Sequence, residues 1–156
     1  MKNILLIVIV LVSIHCTAQR GNSNVLYEKN GKIGIGTNTP DELLTVKGKI
    51  HTQEVIVDLQ GAVAPDYVFE KYADGFSILK PSYQLISLPE LDTFIKKHKH
   101  LPGVPSATEL DEEGMSLKEM NLLLLEKVEE LTLYTLHQQK ELEQLKSQVE
   151  QLSSKR

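Results

Sequence analysis

From Leu117 onward one stripe of positions recurs at alternating spacings of four and three: Leu117, Asn121, Leu124, Val128, Leu131, Thr135, Gln138, Leu142, Leu145, Val149 and Leu152. That period predicts a single helix over residues 116–153 with a coiled-coil seam. A two-per-heptad stripe is too narrow to coat a globular core. It is the pattern that identical helices use when they wind around one another, so the chain is expected to oligomerise. Thr135 and Gln138 lie in the seam itself, where polar residues weaken packing and help fix register and strand number. Leu122 to Leu125, Leu131, Leu133, Tyr134 and Leu136 are apolar on more than one side. The first half of the helix is therefore expected to be covered by preceding short helices as well as by its partners, whereas beyond Gln138 only the seam is apolar.

The other end has a different pattern. Lys2 and Asn3 precede eleven apolar-run residues, Ile4 to Ile14, and Cys16-Thr17-Ala18 places small residues at cleavage positions, so residues 1–18 read as a secretory signal cut between Ala18 and Gln19. A membrane anchor is the competing reading, but this run is shorter than the roughly 20 residues that span a bilayer. A lipoprotein signal acylated at Cys16 is a further alternative, with His15 standing where a small residue is expected. Residues 19–24 read as a flexible linker.

Residues 25–59 alternate in short stretches and predict β-segments joined by tight turns. Asn30-Gly31 is the strongest of the turn signals, because a type I′ hairpin needs positive φ at both positions. A second strand is expected over Leu43 to Val46, and residues 50–59 alternate again. Such a stretch is too small in one copy to bury a sheet face, so it must borrow its core from neighbours. Pro65 to Phe69 read as an extended segment anchoring two aromatics. Ser87 with Glu90, Ser106 with Glu109 and Ser116 with Glu119 form three capping boxes. They open a helix to about Lys97 that presents Leu88, Leu91, Phe94 and Ile95, a short helix stopped by Gly114, and the long helix. The whole predicts an α+β chain: a β-stem, then an extended segment and short helices over 60–115, then the coiled-coil helix over 116–153.

Charge and composition exclude more than they assign. Removing residues 1–18 takes away one Lys and the single Cys, which leaves 16 basic and 21 acidic residues, a net charge of −5. No disulfide framework or Cys-based metal site is then possible. With no Arg between Arg20 and Arg156, a basic nucleic-acid surface is not expected. His98 and His100 need a third ligand and are flanked by repelling lysines, so a role complementing the carbonyl end of a helix is favoured over a metal. Asp111-Glu112-Glu113 lacks the alternating donors and central Gly of a calcium loop. Glu129 and Glu130 read as a solvated coil face, and Gly34 and Gly36 precede no helix and cradle no phosphate. No convergent catalytic set is visible, and neither an enzyme activity nor a cofactor is expected.

The stretch KIGIGTNTPDELLTVKGKI, with Ile33, Gly34, Ile35, Gly36, Thr37, Pro40, Leu44, Val46 and Gly48, resembles the stem repeat of bacterial surface proteins and phage tail-fibre-like proteins. The segments PDYVFEKY, KHLPGVPSATEL and GMSLKEMNLLLLEKVEELTLY resemble the C-terminal domain of secreted tail-fibre-like proteins of Gram-negative bacteria. That domain is loosely similar to the intramolecular chaperone domain of phage endosialidases and tailspikes. The resemblance covers residues 32 to about 145 and implies three chains around a common axis. It does not carry autoproteolysis over, because no Ser-Asp-x-Arg-Leu-Lys-type run occurs here, and residues 70–82 are longer than the usual link in that family.

Val128 and Val149 alternating with leucines lean towards a parallel dimer, whereas the polar layers and the three-fold stem of the resembling family lean towards a parallel homotrimer, which is the expected state. Glu141 would then face Lys146 of the neighbouring helix. The expected function is a secreted or outer-surface assembly module, joined to itself and to other surface or fibre proteins, with no membrane span after cleavage. A secreted carbohydrate- or surface-binding module using Tyr67, Phe69, Tyr72 and Phe76 is the alternative.

Overall fold

The computed structural model describes residues 25–154. The expected signal run, its expected Ala18–Gln19 cleavage position and the expected linker at 19–24 lie outside the described residues. The described residues form an α+β fold with a small three-stranded sheet and four helices, and the chain divides into two compact units, Met1–Val55 and Ile56–Arg156.

In the first unit β1 (Leu26–Lys29) pairs antiparallel with β2 (Lys32–Ile35), and β2 pairs parallel with β3 (Leu44–Val46). Asn30 and Gly31 form the expected turn, at φ +54° and +74°. The return from β2 to β3 spans only residues 36–43, far shorter than an ordinary parallel crossover. Thr45 holds it together. Its buried hydroxyl donates to the Asp41 carboxylate at 2.6 Å and accepts from the Asp41 and Glu42 backbone N–H groups, both at 3.1 Å. That hydroxyl also holds the Asp41 carboxyl below its ordinary pKa.

Leu26 is paired with Ile35, and Ile35 with Val46, while Ile33 faces Leu44. The two-residue side-chain period places these five on one sheet face. Leu26, Ile33 and Leu44 are exposed all the same, and the buried positions of the sheet are Gly34 and Thr45 on the other face. Among the described residues of one copy, no hydrophobic core lies under the sheet.

Two stem glycines are required for different reasons. A Cβ at Gly34 would lie 2.2 Å from the Thr37 carbonyl oxygen, so the backbone would have to shift. Gly36 sits at φ +72° with the Lys47 carbonyl oxygen 3.1 Å from an added Cβ. We expect Gly36→Val to destabilise the stem by about 2 kcal/mol from its backbone conformation alone, and Gly34→Ala to do so by steric conflict. Thermal melts of the two variants check this, and unchanged transitions would remove the glycine requirement.

Residues 50–59 do not form the expected strand. The alternation is present, but a strand needs a hydrogen-bonded neighbour, and none of the described strands reaches it. The expected extended segment at Pro65–Phe69 is also corrected, because α1 runs over Tyr67–Asp74. The aromatic and β-branched run Tyr67-Val68-Phe69 favours strand by propensity. Helix wins because it buries Tyr67 and Val68 together, and Gly75 closes it in the left-handed conformation at φ +79°. Pro65 just before the helix and Gly75 just after it were the sequence signal for it.

The remaining helices follow their caps. α2 spans Leu88–His98 and α3 spans Ala107–Glu113, each opened by a complete capping box, at Ser87 with Glu90 and at Ser106 with Glu109. α4 spans Leu117–Ser153, 37 residues or about 55 Å. Its box forms in one direction, with the Glu119 N–H donating to Ser116 Oγ. The core of the second unit is small: Tyr67, Val68, Tyr83 and Leu133.

Candidate functional site

The heptad positions of α4 sort by environment. Taking Leu117, Leu124 and Leu131 as d and Asn121, Val128 and Thr135 as a, the buried residues Glu129, Glu130 and Leu133 fall at b, c and f. Those are the positions that a simple coiled coil leaves in water. Here the chain covers them itself, with α1 and the segment around Tyr83. The sequence predicts cover from the short helices that the capping boxes open; on this face the cover comes instead from α1, which the sequence does not predict as a helix, and from the segment around Tyr83. On the other face the seam is open, and every apolar residue in it, from Leu117 to Leu152, is 50–69% exposed, against 5% for Leu133. Two of the polar seam residues are satisfied by their own helix: Asn121 Nδ2 donates to the Leu117 carbonyl at 2.8 Å and Thr135 Oγ1 to the Leu131 carbonyl at 2.9 Å.

The covered face carries a charged network. Tyr67 donates from its hydroxyl to Glu126. Lys80 Nζ donates to the Tyr67 hydroxyl at 3.2 Å and to Glu126 at 3.3 Å, and stands 4.6 Å above the Tyr67 ring. Lys127 bridges Glu126 at 2.8 Å and Glu130 at 2.9 Å, and the Tyr83 hydroxyl donates to Glu130 at 3.2 Å. Burial, followed by the Glu126 and Glu130 carboxylates, pushes the Tyr67 and Tyr83 hydroxyls well above the ordinary range. Burial alone would raise Glu126, but hydrogen bonds from Lys127 and Tyr67 outweigh it and hold its pKa down.

Glu129 and Glu130 are therefore not the solvated pair that the sequence suggested, because α1 and the segment around Tyr83 cover them. Glu129 differs from its neighbours. Its Oε2 is buried without a hydrogen-bond partner among the described residues. Burial first, then the Asp66 and Glu126 carboxylates, raises its pKa. A carboxyl whose pKa is raised by folding favours the native state at pH below its unfolded value and loses that contribution as pH rises through the folded one. Glu129→Gln is accordingly expected to stabilise the fold at pH 7 by about 1 kcal/mol, with the gain vanishing below about pH 4. Urea titrations at both pH values check the sign, and a destabilised variant at pH 7 would contradict it.

The other candidates take plainer roles. His98 stacks on Phe94 with ring centroids 4.4 Å apart, and His100 meets the same ring edge-on at 5.6 Å. No group of three metal-ligating side chains occurs among the described residues. Asp111, Glu112 and Glu113 are exposed on the last turn of α3. The four aromatics separate: Tyr67 belongs to the core, while Phe69, Tyr72 and Phe76 are exposed, and Lys140 Nζ donates to the Tyr72 hydroxyl at 2.8 Å.

No protein-family model, curated protein or solved structure matches this chain. Its function rests on its own geometry. No helix among the described residues is long and apolar enough to cross a membrane.

The seam is bordered by a groove. Leu88 and Leu91 of α2, with Leu101 and Pro102 after it, stand across from α4 and enclose about 540 Å³ over the stretch Leu124–Gln138. The sequence predicted α2 and its apolar residues, but not that they would stand beside the seam and widen it into a trough.

Proposed function

We propose that this chain is a secreted, non-enzymatic assembly module that forms a parallel homotrimer within a fibrous or cell-surface structure of a Gram-negative bacterium. The carrying observation is the seam of α4, 50–69% exposed at every apolar position while the opposite face of the same helix is occupied by the chain's own core. An apolar stripe of this length is a site for matching helices, since burying a Leu side chain contributes about 2 kcal/mol. The bare apolar face of the β-sheet supports the same reading, as does the resemblance of its GIGT-type stem to trimeric fibres. Sedimentation equilibrium or native mass measurement on the secreted chain is the test. A trimer is expected. A dimer would keep assembly and overturn the strand number, and a monomer at micromolar concentration would overturn the proposal.

A second reading is favoured by a specific feature. Phe69 and Tyr72, three residues apart on α1, and the nearby Phe76 are 41–59% exposed, and an exposed aromatic surface suits sugar rings. In this reading the module binds a carbohydrate or surface. Glycan-array binding that is lost in Phe69→Ala and Phe76→Ala would establish it.

A further inference from the structure

We propose that the α2 side of one copy clamps the neighbouring copy's α4 along the flank that carries Leu125; this rests on the assembly proposed above. The two flanks of the seam are unlike. On one, the g positions Lys127 and Tyr134 line the 540 Å³ groove together with Leu88 and Leu91 of α2 and with Leu101 and Pro102. On the other, the e positions Leu125, Thr132, Gln139 and Lys146 are all exposed. Leu125 is 45% exposed, a large apolar side chain at a position that coiled coils usually fill with charge.

Parallel helices in register set the g flank of one copy against the e flank of the next. The heights also agree. The Tyr134 hydroxyl donates to the Ile86 carbonyl at 2.5 Å, so the start of α2 is level with Tyr134. An added Cβ at Gly103 would lie 3.6 Å from Leu123, so the end of the groove at Leu101 and Pro102 is level with Leu123 and Leu124. A neighbour's Leu125 therefore arrives opposite Leu101 and its Thr132 opposite Leu88 and Leu91. Lys127 and Glu130, the charged residues of the groove, are already paired with each other at 2.9 Å. The vacant part asks for an apolar occupant, and a second copy supplies one. Because each copy offers a walled flank and a bare one, the contact runs head to tail around the axis and closes into a ring.

Site-directed cross-linking tests this in chains carrying Cys16→Ser, since Cys16 is the only cysteine. Tagged Leu101→Cys and untagged Leu125→Cys chains are refolded together and treated with a short bis-maleimide. A tagged–untagged product is expected in the mixture, and no product from either variant alone. Val149→Cys, whose seam position faces itself across a parallel axis, is the reference and should cross-link alone. A Val149→Cys product without the mixed product would overturn the clamp and leave the assembly standing. A monomeric mass with no Val149→Cys product would overturn the assembly, and the clamp with it. Leu125→Ser should also raise the concentration at which the assembly dissociates by about tenfold. Leu136→Ser, similarly exposed at 44% but off both flanks, should leave it unchanged; equal effects from the two would count against the clamp.

Discussion

Replacing Leu131 and Leu145 together with aspartate is expected to dissociate the proposed trimer into monomers. Both residues lie in the seam, at 63% and 56% exposed in the single chain, so neither contributes to the chain's own core. In a closed seam each loss of a buried Leu costs about 2–5 kcal/mol, and an introduced carboxylate adds the cost of burying charge next to its own copies. The monomer should keep the packing of Tyr67, Val68, Tyr83 and Leu133, because these sit on the opposite face of α4. The stretch beyond Gln138 has only the seam to hold it and should fray, since a helix of that length alone is marginal in water. Sedimentation and far-ultraviolet circular dichroism read the two effects separately. Unchanged mass and unchanged helicity in the double variant would mean that the seam plays no part in assembly.

Lys127→Met should be the most damaging single change on the covered face. The Lys127 side chain is 15% exposed, and its two partners, Glu126 and Glu130, are 13% and 11% exposed. Removing the cation leaves two carboxylates close together with Lys80, which reaches only Glu126, as the remaining counter-charge. Breaking such a pair by deleting one partner costs about 3–5 kcal/mol, and the lower end applies here because the cluster keeps some contact with water. Stability should partly recover at acid pH as the freed carboxylates protonate, whereas the unaltered chain should lose stability there, since the depressed pKa of Glu126 contributes only above its folded value. Denaturant midpoints at pH 7 and pH 4 measure both trends. Equal losses at the two pH values would show that Lys127 acts through packing alone.

Much of this was legible because it is local. The Asn30-Gly31 turn needs left-handed backbone at two adjacent positions, and few residue pairs tolerate that. Ser87 and Ser106 satisfy helix N–H groups three residues away, so helix starts could be read to within a residue. The seam is a matter of spacing along one helix. Residues 50–59 and Pro65–Phe69 misled for a shared reason: alternation and β-propensity state what a segment could do, and whether it does so depends on a neighbour that the sequence does not display. Among the described residues no strand edge reaches 50–59, and α4 offers Tyr67 and Val68 a better burial as a helix.

The sequence by itself determined the turn and cap chemistry, the length of α4 and the stripe along it, because each follows from backbone geometry within a few residues. Only the tertiary structure decided which face of α4 the chain would cover, that Glu126, Glu129 and Glu130 would be drawn under α1 and the segment around Tyr83 instead of facing water, and that α2 would stand beside the seam to form a groove on one flank. These outcomes depend on contacts between residues some 46 to 59 positions apart, such as Lys80 with Glu126 and Tyr67 with Glu126. Their energies come from packing and desolvation, which no local pattern encodes.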